Sequence, residues 1–330
     1  MEIFKRGKIV IIVAFVLILI GIGVAIILNK NEEGATKITF ALDWSPNTNH
    51  TGLFVAKEKG FFAEEGLEVE FVQPPEDTAT ALIAAKKADF GIDFQDHLAV
   101  AFEKNIPVTA VATIIQHNTS GIISLKEDNI ITPKDMENKT YATPELPIEQ
   151  AIIKYAVESG GGDVSKINMI PTYVTDIVQG LKTDIDSVWI FYGWEGIAAE
   201  VAGLETNFFN FKDINEEFDY YTPVIVGNNE YIEKNPETTK KFLRAVKRGY
   251  EYSIEHPEEA AEILLKEAEG LDRELVMESQ KWLAKEYKAE VEQWGYIDET
   301  RWNAFYKWLY ENGLMEKEIS GGFTNKYLED

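Results

Sequence analysis

A chain of 330 residues is long enough for two domains of ordinary size and a substantial core. Hydrophobic residues make up 45% and charged residues 27%, a mixture that excludes the disordered and collagen-like classes. Fifty-six acidic side chains against 32 basic ones leave a formal net charge of −24, which repels phosphate backbones and speaks against a nucleic-acid partner. The five arginines are Arg6, Arg244, Arg248, Arg273 and Arg301, so no guanidinium clamp for a phosphate comes from residues 7–243. Cysteine is absent, which removes disulfides, thiol nucleophiles, Cys-ligated zinc or iron–sulfur sites and a lipid-modified N-terminal cysteine.

At the N-terminus, Ile9 to Leu28 form twenty consecutive residues without a charged or strongly polar side chain. At ~1.5 Å rise each they span ~30 Å, the thickness of a bilayer core, so they predict a transmembrane helix. Lys5, Arg6 and Lys8 precede the run and Lys30, Glu32 and Glu33 follow it, which places residue 1 in the cytoplasm and the bulk of the chain outside the cell membrane. The alternative is a cleaved signal peptide, whose apolar region is shorter and is followed by small residues; the one such candidate, Gly23-Val24-Ala25, lies inside the run.

Beyond a polar tether ending at residue 36, strands and helices alternate in the way that builds parallel sheets with helices on both faces. Strands are predicted at Ile38–Leu42, Leu67–Gln73, Asp89–Asp93 and Val108–Ile115. Helices between them cover Thr51–Lys59, a segment capped by Asp77 or Thr78 that runs to Lys87, and Asp96–Lys104. The polar break Gln116-His117-Asn118-Thr119 and a further strand, Gly121–Leu125, carry the chain to a second unit. That unit repeats the grammar with strands at Lys139–Ala142, Ile167–Ile170, Ser187–Ile190 and Phe208–Phe211, and helices at Pro147–Ser159, Asp176–Lys182 and Gly193–Ala202. Pro223–Gly227 returns the chain, and everything from Asn229 on reads as helix, with Phe242, Ala245, Val246, Gly249, Tyr250 and Ile254 at i, i+3, i+4 spacing. The expected organisation is a membrane anchor and tether at 1–36, a first lobe at 37–120 and 224–330, and a second lobe at 121–223. The two lobes, joined by two crossings that act as hinges, leave a cleft, and ligands of such sheets bind beyond the carboxyl ends of the strands.

Two loops at those ends carry unusual residues. Asp43-Trp44-Ser45-Pro46-Asn47-Thr48-Asn49-His50-Thr51 has the composition of a capping turn, but turn chemistry does not call for Trp44, which either covers a domain edge or stacks a planar ligand. Phe191-Tyr192-Gly193-Trp194-Glu195-Gly196 is either a core cluster with Glu195 complementing a helix dipole, or an aromatic slot whose carboxylate accepts hydrogen bonds from an amino-substituted ring. Burying that carboxylate costs several kcal/mol unless it is paired, and no basic residue is close in sequence. Gln95 and Gln116, at strand ends of the first lobe, are either solvent-facing turn residues or ligand contacts. His50, His97, His117 and His256 show no metal-ligand spacing, and GxSxG, HExxH, GxxxxGK[ST] and GxGxxG are absent from the chain, so no metal and no cofactor is expected. Trp302, Phe305, Tyr306 and Leu309 lie at helical spacing and read as core.

The runs LDWSPNTNHTGLFVAKEKGFFAEEGLEVEF, ADFGIDFQ, IIQHNTSGIISL and WIFYGWEG resemble the substrate-binding proteins of ABC importers for thiamin pyrimidine precursors, a group related to sulfonate-binding proteins and fungal thiamin-pyrimidine synthases. The resemblance covers roughly residues 37–260. It implies an α/β, two-lobed periplasmic-binding-protein type II fold, and an aminomethylpyrimidine or its N-formyl derivative as ligand. Its partners would be an ABC permease and ATPase, with the soluble part a monomer. Trp44, Asn47, Asn49, His50, Tyr192, Trp194 and Glu195 match the family's site motifs. Bacterial members are tethered by a lipid on cysteine; here the apolar run at 9–28 takes that place. Two other functions are open at this stage: an enzyme like the pyrimidine synthases, in which a first-loop histidine such as His50 is consumed but whose cysteine-rich motif this chain lacks, and a binder of another aromatic heterocycle such as a flavin.

Overall fold

Ten short runs rich in β-branched and aromatic residues become ten strands, and they sort into two sheets. The computed structural model describes residues 34–73 and 78–328. The apolar run predicted to cross a membrane, 9–28, lies outside them; among the described residues no helix is long and apolar enough to do so. The first sheet holds β1 (Thr36–Ala41), β2 (Leu67–Val72), β3 (Phe90–Asp93), β4 (Val108–Thr113) and, returning late in the chain, β10 (Val224–Asn228), in the order β2-β1-β3-β10-β4. The second holds β5 (Ser120–Leu125), β6 (Thr140–Thr143), β7 (Asn168–Pro171), β8 (Ser187–Phe191) and β9 (Thr206–Asn210), in the order β7-β6-β8-β5-β9. In the first, β1 runs parallel to β2 and β3 while β10 is antiparallel to β3 and β4; in the second, β6 is parallel to β7 and β8 while β5 is antiparallel to β8 and β9. Helices cover both faces, so the central strands are enclosed: all four residues of β3 and all five of β10 are buried, including the polar Asp93 and Asn228 at their ends.

The chain passes between the sheets twice, through residues 114–119 and 211–223. Both crossings are held by Arg301, from the helix Glu299–Glu311. Its guanidinium donates to the Gln116 carbonyl (2.7 Å) and to Asp219 Oδ2 (3.0 Å), and it lies 4.0 Å from the Tyr221 ring centroid. Asp219 also accepts the Asn118 N–H at 2.8 Å and pairs with His117 Nδ1 at 2.7 Å. Burial raises the Asp219 pKa, but the bond from His117 and the charge of Arg301 outweigh it and hold the carboxyl below its ordinary value.

The C-terminal helices form the outer wall of the first sheet. Pro236–Glu255 buries Thr239, Phe242, Leu243, Ala245, Val246, Gly249, Tyr250 and Ser253 on one face, as its spacing predicts, and lies against Thr51–Glu58. At their contact Gly249 faces the backbone oxygen of Gly52 so closely that no side chain fits between the helices. The expectation of helix to the end of the chain is corrected by the structure. Helix stops at Glu311, left-handed Gly313, Gly321 and Gly322 turn the chain, and it returns as an extended segment to the edge of β4, where Ala110 N–H donates to Gly322 O at 3.0 Å and Thr324 N–H to Ala110 O at 2.8 Å. Glycine-rich, polar sequence closes the exposed edge of a sheet here instead of forming another amphipathic face.

Gly249→Ala should therefore be disproportionately destabilising for a single methyl group, by about 1–3 kcal/mol, because a backbone atom cannot swing aside as a side-chain end does. A melting temperature lowered by several degrees in differential scanning calorimetry is the expected outcome, and an unchanged one would show that the helices can part without cost.

Candidate functional site

The carboxyl ends of β3, β6, β7 and β8 converge on a cavity of about 440 Å³ between the two sheets. Phe94 and His97 reach it from the first lobe; Leu146, Tyr173, Phe191 and Glu195 reach it from the second. The rings of Phe94 and Phe191 stack across the gap, 5.9 Å apart and inclined by 20°. Trp44, 53% exposed, does not line the cavity; its ring lies 6.3 Å from that of Tyr173, which does, and the pair joins the loop after β1 to the loop after β7 at the cavity's rim.

Glu195 is carried by a wide, π-type turn, Tyr192–Gly196, that follows β8 directly. Its Oε2 accepts the Phe191 N–H at 3.2 Å, and among the described residues no cation forms a salt bridge with it. Burial raises its pKa to about 7, against the opposing pull of the backbone N–H groups of Glu195 and Phe191. The expectation of a carboxylate short of a partner matches this geometry.

Other predicted site residues have different tasks. Asn47 Oδ1 accepts the Asn49 N–H (2.9 Å) and its Nδ2 donates to Ser45 O (3.2 Å), so both ends of the amide are spent on the loop. His50 is fully buried. Its Nδ1 accepts the Asn47 N–H at 3.1 Å, which leaves its proton on Nε2, 2.6 Å from Asp43 Oδ1. Asn49 contributes its carbonyl to the Tyr250 hydroxyl at 2.6 Å and does not line the cavity. Gln95 is likewise buried: Nε2 donates to Trp302 O (2.8 Å) and Oε1 accepts the Tyr221 N–H (2.8 Å), pinning the second crossing. Gln116 donates to Tyr296 O (2.9 Å) and accepts from Arg301 at 3.3 Å. Neither is a solvent-facing turn residue, and neither lines the cavity. Tyr192 turns outward, donating to Glu200 and packing on Phe208 and Trp282, and Trp194 packs against the first-lobe core, so the expected aromatic slot is made by Phe191, Phe94 and Tyr173 instead.

Tyr173 and His97 are among the cavity residues that sequence alone did not select as ligand contacts. Tyr173 stands two residues beyond β7, in a loop that the strand-end rule flags as readily as the one after β8. His97, weighed in the sequence only as a metal ligand, holds Asp93 Oδ1 through Nδ1 at 3.0 Å. No group of His, Cys, Asp and Glu among the described residues is arranged to hold a metal ion.

The loops are braced from behind. Ser279, on the helix Arg273–Glu286, donates to the carbonyl of Gly193 and lies 2.6 Å from the hydroxyl of Thr48, so one buried serine joins the loop after β1 to the loop after β8.

Because the folded protein binds the Glu195 proton more tightly than the unfolded chain does, this group's contribution to stability falls as pH rises from about 4.5 towards about 7. Glu195→Gln is thus expected to melt higher than the parent above pH 7, with the gain vanishing at acid pH. A melting temperature below the parent's across the range would mean that the carboxylate is a structural acceptor.

Two α/β sheets of this strand order around an interlobe cavity define the periplasmic-binding-protein-like fold. The alkanesulfonate-binding protein from Xanthomonas axonopodis pv. citri, solved bound to MOPS, shares it, with a TM-score of 0.66 over 88% of this chain and 98% of that one at 11% identity. The chain belongs to the NMT1/THI5 like family, whose profile matches residues 47–260. It is similar to a formylaminopyrimidine-binding protein of Halalkalibacterium halodurans, 28% identical over 298 residues that cover 88% of this chain and 89% of the relative. It is also similar to a 4-amino-5-hydroxymethyl-2-methylpyrimidine phosphate synthase of Saccharomyces cerevisiae, 25% identical over 323 residues with 88% of each chain covered.

Proposed function

We propose that this chain is the extracytoplasmic substrate-binding protein of an ABC importer, and that it captures a thiamin pyrimidine precursor, an aminomethylpyrimidine or its N-formyl derivative, between its lobes. The observation that carries the reading is Glu195: a carboxylate without a cation, on the wall of an aromatic cavity, is completed by a ring that brings its own donors. The stacked Phe94 and Phe191 and the Trp44–Tyr173 pair suit a planar heterocycle, and the similarity to a formylaminopyrimidine-binding protein points the same way. The division into a first lobe of 37–120 and 224–330 and a second of 121–223 follows the two sheets, and the apolar run at 9–28 would tether the protein to the membrane beside its permease. A synthase in which His50 is consumed fits poorly, since that ring is buried and both its nitrogens are engaged in the loop.

Calorimetric titration with the formylated aminopyrimidine tests the proposal. A charge-assisted hydrogen bond contributes ~1.5–3 kcal/mol, so Glu195→Gln should weaken binding by roughly ten- to a hundredfold. Trp44→Ala should cost less, because a ring already half in water loses only its rim contact. Tighter binding of the phosphorylated pyrimidine, or of a flavin, would overturn the choice of ligand.

A further inference from the structure

His97 is a polar group of the cavity left without a task by the capture of an aminopyrimidine at Glu195. His97 stands on the first turn of the helix Gln95–Glu103 and lines the cavity from the first lobe. Its ring is fixed on two sides. Phe94 packs edge-on against it at 5.1 Å and 75°, and Asp93 Oδ1 accepts a hydrogen bond from Nδ1–H at 3.0 Å. Asp93 is buried and its Oδ1 also accepts the Phe94 N–H at 2.9 Å, so the imidazole is its cationic partner. Nε2, across the ring from that bond, has no hydrogen-bond partner among the described residues. Burial disfavours charge on the ring, but Asp96 beside it, the bond to Asp93 and the more distant Asp43 outweigh burial and hold its pKa up at about 9. At neutral pH both ring nitrogens therefore carry protons, and Nε2, on a side chain that is 41% exposed, is a donor engaged by no protein group among the described residues.

The position of this donor matters because of what stands opposite. Glu195 is bound to the backbone of Phe191, His97 is packed on the ring of Phe94, and those two rings stack on each other. The cavity therefore presents a carboxyl group from one lobe, an acceptor when ionised, and a donor-only imidazolium from the other, joined by an aromatic pair, with Asp96 and Glu103 also on the wall beside the imidazole. We propose that His97 is a specificity-determining residue, whose Nε2–H donates to an acceptor on the ligand's side chain while Glu195 takes the amino edge of the ring, so that the protein selects a carbonyl-bearing, acylated amine over the same heterocycle with a free ammonium. The inference rests on the reading of Glu195 given above. A formamide oxygen accepts from His97 directly, whereas an ammonium in the same place sets donor against donor.

The test compares two probes on the full-length protein in detergent: a 4-aminopyrimidine with a formylated aminomethyl group, and the same pyrimidine with the aminomethyl group free. The parent is expected to prefer the formamide. In His97→Gln, which keeps an N–H for Asp93 and removes the charge, formamide affinity should fall about tenfold or more while the free amine binds as well or better, so the preference shrinks at least tenfold. His97→Phe should remove the preference, but it leaves Asp93 unpaired and can unfold the protein. The parent itself supplies a second measurement: the Nε2–H resonance of His97, identified as the imidazole signal missing from His97→Gln, should shift on titration with the formamide. An undiminished preference in His97→Gln, or a resonance unmoved at saturating formamide, would overturn the role of His97 while leaving Glu195 in place. Failure of the parent to bind either probe would remove the Glu195 reading and this inference with it; Glu195→Gln separates the cases, since it weakens both probes only where Glu195 is a ligand contact.

Discussion

Arg301 is the point on which the arrangement of the two sheets depends. One guanidinium reaches the first crossing through Gln116 and the second through Asp219, and its flat face lies on Tyr221. A planar, permanently charged fork can meet a carbonyl, a carboxylate and an aromatic ring at once, which an ammonium cannot do. The strength of the pairing comes from its surroundings: Asp219 is largely enclosed, so its attraction to Arg301 and His117 is little screened. The buried glutamines belong to the same construction. Gln116 bonds to Arg301, and Gln95 ties the second crossing to the helix from which Arg301 projects. The cavity is the space left when this frame and the two sheets are in place.

Inside that space the balance of charge is reversed. Around Arg301 every buried charge is answered by another, whereas Glu195 is enclosed without a cation and its proton affinity rises accordingly. Nothing in the fold requires this. A glutamine would accept the same backbone N–H without the cost of enclosing a charge. His97 is the counterpart in the other lobe, charged through its own aspartates and left with a free proton.

The ten strands among the described residues were legible in the sequence as short runs of β-branched, aromatic or alternating apolar residues between turn-forming ones. The loops at their carboxyl ends were legible as the place for a site for the same reason. What sequence could not supply was the direction of each side chain. In the loop after β1, Asn47 and His50 face inward because a turn crossing a buried edge must satisfy its own N–H groups, and the nearest polar side chains do so. Tyr192 and Trp194 were separated from Glu195 by the π-type turn, whose extra residue per turn rotates neighbouring side chains onto different surfaces. Tyr173 and His97 sit in stretches with no unusual composition; only the meeting of the two sheets puts them on the wall of one cavity.

Trp44 and Tyr173 come from different sheets, so any parting of the lobes must separate them. A tilted aromatic pair contributes about 0.5–1.5 kcal/mol beyond the area it buries, and Trp44 is already half in water. The rim of the cavity is therefore a latch and not a lock: it slows exchange by an order of magnitude at most. The residence time of a captured molecule is set by the bonds it makes deeper in, so capture and delivery can be tuned through the cavity wall without altering how readily the rim opens.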